Sequence, residues 1–100
     1  MILKQVKLVT IIGLDSLEQK LIQEIKKIGI RGYTISEAHG EGLHSQKNSD
    51  WEGKNIRIET LVSDEKATKL LKVLSDKYFE VYGIVAFVSN VEVLRPEKYT

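Results

Sequence analysis

"NIRIETLVSDEKATKLLKVLSDKYF", residues 55–79, changes its hydrophobic period in the middle. Before Ser63, Ile56, Ile58, Thr60 and Val62 fall on one face of an alternating run, the period of a β-strand. After it, Ala67, Leu70, Leu71, Leu74 and Tyr78 recur at helical spacing. Ser63 or Asp64 is a natural N-cap, because a short oxygen-bearing side chain accepts from the free N–H groups of a first helical turn. A strand over 54–62 therefore runs straight into a helix.

The N-terminal half has the same form. "KQVKLVTII", residues 4–12, alternates and is rich in β-branched side chains, so it reads as a strand that Gly13 ends. Asp15 or Ser16 caps the helix that follows, with Glu18 in its first turn, and Ser16 to Gln19 has capping-box spacing. Leu17, Leu21, Ile25 and Ile28 form its apolar stripe, and Lys20, Glu24 and Lys27 lie on other faces. Gly29 stops it. "IRGYTISEA", residues 30–38, is a second strand, and "YGIVAFVSNVEVL", residues 82–94, is the last. The order is β-α-β, loop, β-α-β. With right-handed crossovers it predicts an α+β, ferredoxin-like βαββαβ sandwich: a four-stranded antiparallel sheet with two helices on one face.

The 100 residues suit a single domain over 1–100. Fifteen Lys and Arg nearly balance fourteen Asp and Glu, so charge alone points to neither nucleic acid nor an anionic membrane. There is no cysteine, which removes disulfides, thiol catalysis and thiolate metal sites. "MILKQVKLVTIIG" is too short and too interrupted by charge for a signal peptide. No run approaches the roughly 18 apolar residues of a spanning helix. The third strand lacks the aromatic residues of an RNA-recognition sheet, so nucleic acid is not an expected partner.

What remains is the long connection "HGEGLHSQKNSDWEGKN", residues 39–55, where a hairpin of this fold needs only about 2–5 residues. It reads as a mobile functional loop. Gly40 and Gly42 allow positive φ and close approach of backbone N–H groups to an anion; the alternative is a plain hinge. His44 and Lys47 are suited to phosphate or are simply solvated. His39, Glu41, His44 and Asp50 match no standard zinc spacing, so no metal site is expected. Trp51 is either a contact residue for a partner or folds back on the domain. Glu59 and Glu92 on strands face solvent or pair with basic neighbours. No nucleophile elbow is present, and nothing demands an enzyme.

"GIRGYTISEAHGEG", "NIRIETLVSDEKATKLLKVLSDKYF" and "VEVL", in this order and spacing, resemble the PII signalling superfamily, closest to the PII-like SbtB type associated with a bicarbonate transporter. The likeness runs from about Lys7 to Leu94. It implies a non-enzymatic, cytoplasmic homotrimer that binds AMP, cAMP, ADP or ATP in clefts between subunits and needs no other cofactor. It implies that the loop over 39–55 is a T-loop controlling a partner, a membrane transporter docked from the cytoplasmic side, which places the protein peripherally on the inner membrane. Carried over, Gly40, Gly42, His44, Lys47, Gly83 and Ile84 are the nucleotide-binding residues, and Leu43 and Trp51 meet the partner. Glu41 stands where the SbtB type carries lysine, and His44 and Lys47 stand for two arginines, so the bidentate arginine fork is missing. The alternative is a CutA-like trimer, the same fold used to bind metal ions.

Overall fold

The computed structural model describes residues 1–40 and 54–94. Four strands, β1 (Lys4–Leu14), β2 (Thr34–Ala38), β3 (Asn55–Val62) and β4 (Val85–Val93), form one sheet in the order β2-β3-β1-β4, every pair antiparallel. Helices α1 (Glu18–Ile28) and α2 (Asp64–Lys77) are the two crossovers. A four-residue helix, α3 (Phe79–Tyr82), follows α2. The ferredoxin-like arrangement is the expected one.

The register separates the two faces of the sheet. Val9 pairs with Thr60 and Val88, and Ile11 with Ile58 and Ala86. These side chains face the helices and join Leu21, Ile25, Leu70 and Leu74 in one core. The strand period read from residues 55–62 thus selects the buried set: Ile56, Ile58, Thr60 and Val62 are all buried. The alternate positions, among them Leu8, Thr10, Ile12, Leu61 and Phe87, share the opposite face, which no helix of the described chain covers.

Several boundaries differ from the sequence reading. β2 begins at Thr34, not at 30, because the preceding residues close α1. Gly29 N–H donates to the Lys26 carbonyl and Ile30 N–H to that of Ile25, with Gly29 at φ 93°. This pair of bonds is the Schellman arrangement that glycine favours. No side chain caps α1: Asp15–Leu17 forms a 3-10 turn, and Asp15 N–H is taken by the Lys54 carbonyl at 2.7 Å. At α2, by contrast, Ser63 Oγ accepts from Lys66 N–H as expected. β4 starts at Val85, not at 82, because α3 intervenes and Gly83, at φ 63°, ends it. Glu24 is buried and not on a solvated face, because Tyr78 Oη donates to its carboxylate at 2.9 Å.

Gly13 does not end β1; it lies within the strand. A Cβ there would sit 3.0 Å from Ile84 Cγ2, so the absent side chain makes room for Ile84. Gly13→Ala gains strand propensity but must displace a core side chain. The expected result is a net loss of about 1 kcal/mol, measurable by urea unfolding, with perturbed NMR signals at Ile84.

Candidate functional site

The residues expected to hold the nucleotide or to meet the partner fall into three groups. Gly42, Leu43, His44, Lys47 and Trp51 lie outside the described residues. Gly40 follows the end of β2; it is exposed, no atom of the described residues other than its chain neighbours lies within 4 Å of the place a Cβ would take, and its φ is outside the left-handed region. Gly83 and Ile84 precede β4 on the other edge of the sheet. Gly40, Gly83 and Ile84 belong to the same end of the sheet, where Leu14 pairs with Asn55 and Ile12 with Val85.

The geometry at Gly83 is well fixed. Its N–H donates to the Phe79 carbonyl at 3.2 Å, and its positive φ is one that a residue with a Cβ adopts only at a cost. Ile84 is 3% exposed, with its side chain against Gly13 and in the core. Any ligand contact it makes therefore runs through its backbone.

The opposite end of the same sheet carries a groove of about 610 Å³ that motif reading did not place. Its apolar lining includes Leu8, Leu61 and Val91, and its polar lining includes Thr34, Glu59 and Glu92, with Gly32 and Tyr33 beside them. Thr60 Oγ1 donates to the Gly32 carbonyl at 2.6 Å and so fixes the entry into β2 beside the groove. Glu59 pairs with Arg57 at 3.3 Å, as its strand position suggested. Both groups are partly exposed, and a pair of this kind is worth little in stability, so the carboxylate is available to another donor. Thr10, opposite Glu59 and Phe87, is fully buried, and its Oγ1 has no hydrogen-bond partner among the described residues.

A signal for this groove was present in the sequence. Val6, Leu8, Ile12 and Leu61 are apolar at positions alternate to the core positions. A strand buried on one face only would carry polar residues there. Among the described residues no group of three or more His, Asp or Glu is placed to hold a metal ion, and no helix is long and apolar enough to cross a membrane.

The chain is thus an α+β, ferredoxin-like domain, with a long β2–β3 connection and a ligand-sized groove on the sheet face that no helix of the described residues covers. Residues 6–98 match the family model of the nitrogen regulatory protein P-II, and the chain belongs to that family. It is a PII-like signalling protein. Among solved structures it is similar to a protein of Thermus thermophilus assigned to PII-like signalling, at 48% identity over 100% of both chains with a TM-score of 0.87. It is also similar to CPII of Thiomonas intermedia bound to ADP, AMP and acetate: 29% identity, 99% of this chain, 98% of that one, TM-score 0.87. The Bacillus subtilis GlnK–ATP complex is more distant, at 27% identity over 87% and 82% of the two chains, TM-score 0.66. No curated protein matches.

Proposed function

We propose that this chain is a non-enzymatic regulator that assembles as a homotrimer, binds an adenine nucleotide at its subunit boundaries, and meets a partner through residues 39–55. The candidate nucleotides are AMP, cAMP, ADP and ATP. The partner is a membrane bicarbonate transporter of the kind the SbtB resemblance implies, reached from the cytoplasm.

The groove on the bare sheet face carries this reading. An apolar lining with the carboxylates of Glu59 and Glu92 and the Thr34 hydroxyl suits a flat ring with an exocyclic amine, as in adenine. CPII binds ADP and AMP, and GlnK binds ATP, which supports an adenylate as the ligand. Of the phosphate-binding candidates, Gly40 and Gly83 belong to the other end of the sheet, and Gly42, His44 and Lys47 lie outside the described residues. Thr34 and Gly40 are six residues apart on extended chain, about 20 Å. One mononucleotide is too short to reach both ends of one chain. At a boundary between two copies, the groove of one faces the loop end of the next, and both halves are used. The apolar face supports assembly independently, because among the described residues no helix covers it: Leu8 and Leu61 are only half-buried and Phe87 is 43% exposed.

Calorimetric titration of the full chain with each of the four adenylates tests this. Saturable binding is expected, and Glu59→Gln is expected to weaken it about fivefold by removing a charged acceptor. Absence of heat with all four at millimolar concentration would refute the reading.

A further inference from the structure

One polar ladder joins the helix layer to the turn that starts β4. Lys20 and Glu24 lie one turn apart on α1. Tyr78 and Tyr82 are likewise four residues apart, with ring centroids 5.6 Å from each other. Tyr78 Oη donates to Glu24 at 2.9 Å, and Lys20 Nζ donates to Tyr82 Oη at 3.2 Å while lying 5.4 Å from the centre of the Tyr82 ring. Lys77 adds a longer contact to Glu24, at 3.8 Å. Tyr82 is the last residue of α3, and its own N–H donates to the Tyr78 carbonyl. The next residue is Gly83.

The turn is therefore held on both sides. Ile84 is locked into the core against Gly13. Tyr82 is held at its hydroxyl by the Lys20 ammonium and along its ring by Tyr78. Only Gly83, already in its left-handed conformation, connects the two anchors. We propose that Lys20 and Tyr82 form a clamp that sets the position of the Gly83 turn and thereby the nucleotide affinity of the site. This rests on the reading of Gly83 as part of that site. Lys20 touches no ligand in this scheme; it is a positioning residue acting through Tyr82. The two distances place Nζ beyond the hydroxyl edge of the Tyr82 ring, so the hydrogen bond to the hydroxyl is what Lys20 supplies, and a single change at Lys20 releases it.

Lys20→Met, Lys20→Arg and Tyr78→Phe separate positioning from plain stability. Calorimetry with ADP should show affinity reduced about three- to tenfold in Lys20→Met. Lys20→Arg should restore it, because guanidinium also donates to the hydroxyl. Tyr78→Phe should lower stability yet leave affinity within about twofold, since the ring against Tyr82 remains. Hydrogen exchange of the Gly83 amide in the ligand-free chain reads the clamp without any nucleotide. It should quicken in Lys20→Met and not in Lys20→Arg. Unchanged Gly83 exchange in Lys20→Met, or equal loss of affinity in the Met and Arg variants, overturns the proposal. Faster exchange in a chain that binds no adenylate upholds the clamp and overturns its role in affinity, along with the nucleotide reading.

Discussion

Ile58→Ala is expected to lower unfolding stability by about 3–5 kcal/mol, the upper part of the range for truncating a buried aliphatic side chain. Ile58 has no exposed surface and sits on β3, an inner strand of the sheet. It stands opposite Ile11 on β1 and Ile35 on β2, with the α1 and α2 stripes over it. Its neighbours are held on both sides by strand hydrogen bonds, so the cavity left by truncation cannot collapse. A domain of this size has roughly 5–15 kcal/mol in total, so the variant loses a large share of it. Urea unfolding should give a much lower midpoint at an unchanged m-value. A loss under about 1 kcal/mol would mean that Ile58 does not occupy the packed centre described.

The second large effect appears at alkaline pH. The Tyr78 hydroxyl is pushed up to about 12, first by burial and then by its hydrogen bond to Glu24, by the Glu24 charge and by Tyr82. Below the unfolded value near 10, the phenol is protonated in both states and its contribution is fully present. Between 10 and 12 the unfolded chain gives up the proton while the native chain keeps it, so stability falls as pH rises. The loss by the upper end of that window is about 2 kcal/mol. Tyr78→Phe has no such proton, so the stability difference between wild type and variant should be flat below pH ~10 and shift by that amount across the window. A difference that stays constant to the upper end would place Tyr78 in an ordinary, solvated setting.

Sequence period was enough for the sheet and its two main helices, because burial on one face of a strand or helix imposes a repeat that can be counted. Residues 55–79 show this most clearly: the alternation up to Val62, the Ser63 cap and the α2 stripe all appear in the structure. The features that were missed depend on single tertiary contacts. Nothing in the spacing of Glu24 distinguishes it from Lys27; the Tyr78 hydroxyl, 54 residues away, buries it. α3 is too short to show a period, and it exists between Tyr78 and the left-handed Gly83. Gly13 looks like a terminator until Ile84 is seen against it. The candidate site was legible only in part. Gly40 comes from the Gly-x-Gly start of the long loop and Gly83 only from the family resemblance, whereas the groove needs the register of three strands to bring Leu8, Glu59 and Val91 together.

The central claim is that one nucleotide uses both ends of the sheet, taken from adjacent copies. Mapping amide chemical shifts of the full chain during titration with ADP tests it most directly. The account predicts that the largest changes fall in two separate sets, Gly32, Tyr33, Thr34, Glu59 and Leu61 at the groove and Gly40, Gly83 and Ile84 at the loop end, and that both saturate along one binding curve. Changes confined to one set, or centred on the outer faces of α1 and α2, would contradict it.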